Sequence, residues 1–250
     1  MRLKSLDVFR GIAIASMILV NNPGSWKQVY PPLDHAEWHG CTPTDLVFPF
    51  FLFIVGCAMS FSLSKYTETT TKIETNIYWR IARRAAILFV LGLLLNTSSI
   101  ALDVLLNGAP VENFGKIRIM GVLQRIGLAY FISAIAIYWG VLFVFAVGGY
   151  TEYALTPEGY LGGYVDRLIL GSQHLYKGGP FDPEGLLSTL PAVVTVLSGY
   201  FTGEWLRVQP IKTRTSLNLV ISGLCCLVIG HLWGFLFPIN KQLWTSSFVV

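Results

Sequence analysis

The sequence predicts an all-α membrane protein: a polytopic transmembrane helical bundle forming one domain over residues 1–250. Three observations predict it. First, 53% of the residues are hydrophobic and only 13% charged, with a mean hydropathy of +0.57; soluble domains carry roughly 25% charged residues. Second, the apolar segments are continuous rather than alternating, which argues against a transmembrane barrel. Third, the basic residues sit in short flanks between apolar runs, as cytoplasmic loops do. The net charge of +4 is therefore no nucleic-acid footprint. The lipid bilayer is the expected partner, and no nucleic acid is.

The first helix is expected over residues 6–20, short for a bilayer that needs roughly 20 residues. Arg2, Lys4 and Arg10 place its N-terminus in the cytoplasm. Asp7 suits a cap at its start. No small-residue cleavage site follows, so this segment reads as a retained helix rather than a signal peptide. Residues 21–45 then form a polar loop on the outer side, punctuated by Pro and Gly. It holds His35 and His39, with Asp34, Glu37 and Asp45 close by. Titratable groups at the mouth of a membrane bundle are expensive and usually have a task.

A second helix is expected over residues 45–64. Pro49 is tolerable near its start, and Gly56, Ala58 and Ser60 form a small-residue face for close helix contact. After a Thr- and Lys-rich loop, 65–76, comes a third helix over 78–96. Arg80, Arg83 and Arg84 at its cytoplasmic end are the strongest orientation signal in the chain. Residues 97–117 read as an external loop whose apolar start dips back into the bundle.

Residues 119–147 are mostly apolar, interrupted by Gln124 and Arg125. The run is long for one span and short for two. A single span would put Arg207, Lys212 and Arg214 outside. A tight pair of short helices turning near residues 139–140 obeys the positive-inside rule and is preferred. Residues 150–184 read as a long external loop holding Asp166, Arg167, His174 and Asp182. Helices over 185–206 and 216–237 follow, joined by a basic linker, and PINKQLWTSSFVV begins one more. Six to eight spans result, in a chain that looks truncated within an apolar run.

His35 and His39 are four apart, a metal-pair spacing on a helix. Pro31, Pro32, Gly40 and Pro43 make a continuous helix there unsuitable, and no third ligand is evident, so no metal is expected. A proton shuttle, or a loop side chain bonded to backbone, are the other readings. Asp45 opens the second helix, where the macrodipole favours a negative charge; it is equally placed to orient a histidine from the preceding loop. Arg118 and Arg125, seven apart, read as lying on one helical face. They serve either an internal ion pair, with Asp103 or Asp45, or a substrate contact. The four cysteines have no metal or disulfide spacing. No P-loop, GxSxG, HExxH or dinucleotide fingerprint occurs, and GYLGGYVDR follows no strand, so it is no phosphate cradle.

Six blocks, LDVFRGIAIASMILVNN, DHAEWHGCTPTDLVFPFFLFIVG, RIMGVLQRIGLAYF, GYVDRLILGSQHLY, FDPEGLLSTLPAVV and PINKQLWTSSFV, resemble the heparan-α-glucosaminide N-acetyltransferase family, its bacterial branch above all. They occur in the family's order and cover most of the chain. The resemblance implies a transmembrane acetyltransferase that moves an acetyl group from cytosolic acetyl-CoA, as co-substrate, to the amine of a glucosamine-type sugar outside. It also implies an inner-membrane location and an amino-sugar or oligosaccharide substrate; a homodimer is compatible with it. His35 matches the family's active-site histidine, Asp45 its acidic residue opening the next helix, and Asn21 the asparagine ending the first helix. His39 stands where relatives carry Asn. The implied site is then His35 and Asp45 as catalytic residues, with Asn21, Gln124 and Arg125 for substrate and Arg10 for CoA phosphates. About one helix after Ala129 and the family's C-terminal helices are missing from the pattern. A sugar transporter without acyl chemistry, an O-acetyltransferase of surface glycans and a non-catalytic membrane scaffold are the rival readings.

Overall fold

The computed structural model describes residues 4–67, 75–139, 156–210 and 212–250. Eight α-helices account for most of them: α1 Lys4–Asn21, α2 Pro43–Thr67, α3 Thr75–Asn107, α4 Val122–Trp139, α5 Leu161–Leu170, α6 Thr189–Val208, α7 Thr213–Gly234 and α8 Ser246–Val249. Among the described residues, three segments are long and apolar enough to cross a membrane, Pro43–Leu63, Ile77–Asn107 and Thr213–Gly234. With the composition, they make the chain an integral membrane protein. The chain divides into two compact units. One comprises Met1–Lys72 and Ala192–Val250, the other Ile73–Pro191.

In the first unit, α1 packs on α2, with Phe9 against Phe50 at a ring-centroid distance of 5.9 Å. Val8, Ile12, Ile18 and Leu19 on α1 remain exposed, as lipid-facing side chains are. The small-residue face expected on α2 is present and explains the helix contact. A Cβ on Gly56 would strike the Val196 carbonyl of α6, and one on Gly199 would strike the Phe53 carbonyl. A Cβ on Gly203 would lie 2.9 Å from the Cys57 carbonyl. Such residues let two backbones approach where bulkier ones would hold them apart. α7 exposes Leu217, Val220, Leu224, Leu227 and Val228, and meets α8 where Gly230 lies under the Ser247 carbonyl.

The last stretch differs from expectation. Instead of a long helix, residues 238–245 form a turn, and only Ser246–Val249 are helical. Two local features stop the helix. The Asn240 side-chain oxygen accepts the Leu243 amide at 2.9 Å, an Asx-type turn, and Trp244 adopts φ +55°. Trp244 then anchors the turn: it is 2% exposed, packs edge-on against Phe48 at 5.7 Å, and donates its indole N–H to Thr195 Oγ1 at 3.3 Å.

In the second unit the third helix does not stop at Asn96. α3 continues through Thr97, Ser98 and Ser99, whose hydroxyls donate back to the carbonyls of Leu93, Leu95 and Asn96 at 2.8–2.9 Å. These polar residues therefore satisfy themselves within the helix rather than breaking it. At 33 residues α3 is about 50 Å long, more than the roughly 30 Å hydrocarbon core. α4 crosses it closely: Gly127 faces the Ala85 carbonyl and Gln124 lies over Gly92. α4 ends at Trp139, and the second helix expected after it lies at residues 140–147, outside the described residues.

Residues 156–184 are not simply loop. They contain α5 and three-residue 3₁₀ turns, Ser172–His174 and Tyr176–Gly178. The glycines of GYLGGYVDR serve packing. A Cβ on Gly162 would overlap the Tyr160 ring, and one on Gly163 would lie 2.7 Å from Phe181 Cβ.

Candidate active site

The polar loop between α1 and α2 folds around the first turn of α2. Pro31–Leu33 form a short 3₁₀ turn, Gly40 sits at φ +112°, and Asp45 lies in the first turn of α2. Asp45 is 1% exposed. Its Oδ2 accepts the backbone amides of Ala36 at 3.1 Å and Thr42 at 3.0 Å. The Thr42 hydroxyl lies 3.0 Å from the same oxygen and 2.7 Å from the Asp34 carbonyl, with one hydrogen to give. Asp45 Oδ1 is left for His35, whose Nδ1 is 2.7 Å away. Both readings of Asp45 thus hold together, the helix-start charge and the orienting carboxylate.

This contact decides the tautomer of His35. An ionised carboxylate only accepts hydrogen bonds, so Nδ1 carries the proton. Nε2 then keeps its lone pair, on a ring whose side chain is 41% exposed. An imidazole so held takes a proton or an acyl group at Nε2 without first having to turn.

A third residue completes the arrangement, one that sequence reasoning missed. Lys241 Nζ lies 3.1 Å from Asp45 Oδ1 and 3.1 Å from His35 Nδ1. It arrives on the turn after α7, which is tied to the His35 loop by a parallel bridge between Gly40 and Asn240. The Gly40 amide donates to the Ile239 carbonyl at 2.8 Å, and Gln242 Nε2 donates to the Glu37 carbonyl at 3.2 Å. The available signal was a lysine with a polar neighbour inside an otherwise apolar run. Cys41 is close enough to feel both Asp45 and Lys241. Partial burial first, and then the Asp45 charge, push its thiol up to about 11, so it stays protonated and is no rival nucleophile at neutral pH.

The other expected site residues lie elsewhere. Asn21 ends α1 and is exposed, with no hydrogen bond to His35 or Asp45 among those described. Arg10 stands 4.0 Å from Asp7, one turn along α1. His39 packs edge-on to Trp38, at 6.3 Å between rings. Gln124 and Arg125 belong to the second unit and are each 1% exposed. Arg125 donates to the carbonyls of Pro183, at 2.9 Å, and Ser188, so its guanidinium braces the turn before α6.

Arg118 is a correction. It precedes α4 and does not share a helical face with Arg125, and its partners are neither Asp103 nor Asp45. Its Nε donates to Asp182 Oδ2 at 2.9 Å, and its Nη2 reaches Asp182 Oδ1 and Glu184. Burial works against its charge, but the Asp182 hydrogen bond and the two carboxylates outweigh that and raise its pKa. Asp182 is fully buried and also accepts the amides of Tyr176 and Glu184, each at 2.9 Å. Nearby Asp166, 1% exposed, accepts the Leu186 amide at 2.8 Å, while its Oδ2 meets no partner among the described residues. Burial first, and the neighbouring Asp182 charge, raise the Asp166 carboxyl to about 6.

The chain is thus an integral membrane protein of apolar helices that presents a carboxylate-held imidazole where it leaves the helices. Residues 2–232 match the family model described as "Heparan-alpha-glucosaminide N-acetyltransferase, catalytic", and the chain belongs to that family. It is similar to the human heparan-alpha-glucosaminide N-acetyltransferase, with 28% identity over 99% of this chain and 46% of that protein. To the mouse protein of the same name it is 30% identical, over 99% of this chain and 46% of the relative. The chain therefore spans a little under half the length of these relatives. Lys241 lies beyond the residues that the family model matches.

Proposed function

We propose that the chain transfers an acetyl group from acetyl-CoA to the amine of a glucosamine-type sugar, with His35 as the catalytic residue. The single observation that carries this is the 2.7 Å contact between His35 Nδ1 and the buried Asp45, which in the neutral ring sets the proton on Nδ1 and makes Nε2 the free nitrogen of a half-exposed side chain. Family membership supports the reaction class. The positive-inside pattern supports a cytosolic N-terminus and an outer location for the His35 loop.

Nε2 serves either of two routes. In one it attacks the thioester carbonyl, forming an N–C bond as the C–S bond breaks and the CoA thiolate leaves. The sugar amine then attacks the acetylimidazole, and the amine proton passes to Nε2. In the other, Nε2 takes a proton from the sugar ammonium and gives it up to solvent. The freed amine attacks the thioester carbonyl, the C–S bond breaks, and the second proton that the nitrogen sheds as the amide forms passes through Nε2 to the leaving CoA thiolate. Asp45 serves both by holding the tautomer and favouring the imidazolium that forms. Oxyanion donors, each often worth about 3 kcal/mol, would come from Asn21 or from backbone amides of the loop. Arg10 is assigned to the CoA phosphates.

The test uses purified protein in detergent with radiolabelled acetyl-CoA and glucosamine. Label should appear on glucosamine with the wild type and be lost with His35→Ala. Equal label from both proteins would sink His35 as the catalytic residue. No label from either would overturn the enzyme reading, and sugar flux into proteoliposomes would then support transport. Label retained on the protein with acetyl-CoA alone distinguishes the two-step route from the direct one.

A further inference from the structure

Lys241 is unusual in its placement. An ammonium beside an imidazole opposes protonation of the ring, whereas a carboxylate beside it favours protonation. Asp45 alone favours the imidazolium over the neutral ring. Lys241 Nζ, 3.1 Å from both Asp45 Oδ1 and His35 Nδ1, opposes that pull. It cannot act by donating to Nδ1, which already carries a hydrogen directed at Asp45. Its hydrogen bond therefore goes to the carboxylate, and its charge acts on the ring.

We infer that Lys241 is a positioning residue for the acetyl transfer proposed above: it shares Asp45 Oδ1 with His35 and sets a positive charge beside the ring that opposes a proton on Nε2. The inference rests on that reading for its purpose, but its electrostatics stand apart from it. The other groups of this unit around His35 do not replace Lys241. Asp34 on the same loop accepts the His35 backbone amide at 2.8 Å and adds negative charge. Glu37 adds a second negative charge to the loop, its backbone carbonyl accepting from Gln242, and Cys41 is a neutral thiol. His39 is occupied with Trp38. Lys241 is the cation the described contacts place on this ring.

The placement also makes the site conditional on the turn after α7. Lys241 reaches His35 from 206 residues away, and only because Gly40 pairs with Asn240 and Trp244 is buried beside Phe48. A chain whose last turn were detached would keep the His35–Asp45 pair and lose the opposing charge.

The test compares wild type with Lys241→Met, which keeps length and loses charge, and Lys241→Arg, which keeps charge. Diethyl pyrocarbonate reacts with unprotonated imidazole, so the pH dependence of His35 carbethoxylation, read by mass spectrometry, reports Nε2 directly and needs no turnover. In Lys241→Met the midpoint should move toward higher pH by about one unit, with Lys241→Arg restoring most of the shift. The acid limb of kcat/KM for acetyl transfer should move with it. Identical midpoints in all three proteins would overturn the inference. An equal shift in both variants would overturn it too, because it would mark a packing role. If the midpoints move as stated while no protein transfers acetyl groups, the Lys241–His35 coupling stands and the acetyltransferase reading falls.

Discussion

Two acid–base clusters, one in each compact unit, use the same kinds of groups to opposite ends. Around Asp45, a carboxylate buried to 1% exposure collects backbone amides, a lysine and an imidazole, and the imidazole stays 41% exposed with one nitrogen open. Around Asp182, a fully buried carboxylate collects two backbone amides and Arg118, and Arg118 is shared with Glu184. The first cluster ends on an unsatisfied acceptor facing outward. In the second, the Nε and Nη2 donors of the arginine are committed to carboxylates inside the protein. Arginine holds its proton at any working pH, while histidine exchanges its own near neutrality. The same buried carboxylate therefore builds a brace in one unit and a reactive group in the other.

Substitutions at the two carboxylates should separate these roles. The largest effect is expected for Asp45→Asn. Asparagine still accepts the Ala36 and Thr42 amides and still suits a helix start, but its amide no longer holds the Nδ1–H tautomer. Acetyl transfer should fall about 10³-fold or more, with the thermal unfolding midpoint in detergent little changed. A rate within about tenfold of wild type would show that Asp45 serves the helix start alone. Next comes Asp182→Ala, which strips a buried arginine of one carboxylate. The loss should be about 3–5 kcal/mol of stability, measured by denaturant unfolding in detergent, with the rate per folded molecule nearly unchanged. A stable variant with lost activity would reverse the comparison drawn here.

The smallest expected effect is a pH dependence at Asp166. Its carboxyl, raised from about 4 to about 6 by burial, is protonated in the folded chain where the unfolded chain would already have ionised. Its contribution is therefore present below pH 4 and is lost as pH rises through 6, a change on the order of 2 kcal/mol. Stability of the wild type should fall across that interval, and Asp166→Asn should remove that part of the fall. An unchanged slope in the variant would show that the carboxyl ionises freely in the folded chain.

The helices were legible in the sequence where their signal is local. α1, α2, α6 and α7 fall within a few residues of the expected ranges, because continuous apolar runs and their basic flanks specify them. α3 runs past its expected end, since Thr97, Ser98 and Ser99 resemble a loop in composition yet return their hydroxyls to their own helix. α5 forms where the Gly-, Pro- and Tyr-rich composition predicts a loop, because packing against Tyr160 and Phe181 outweighs the low helix propensity of Gly162 and Gly163. At the site, His35 and Asp45 were legible because ten residues separate them and a helix start brings them together.

What the sequence by itself determined is the membrane class and the order of most helices, written in composition and in neighbours along the chain. It left Asp45 between a helix-start charge and the partner of a loop histidine, which the fold joins in one residue. Only the tertiary structure decided that Lys241 stands on the His35 ring, that Arg118 answers to Asp182 and Glu184, and that Arg125 braces a turn. Those partners lie 206, 64 and 66, and 58 and 63 residues apart. The physical reason is one of range. Apolar periodicity and capping act over a few residues, whereas a buried charge takes whichever opposite charge or carbonyl the folded backbone brings within about 3 Å, and it cannot be left without one.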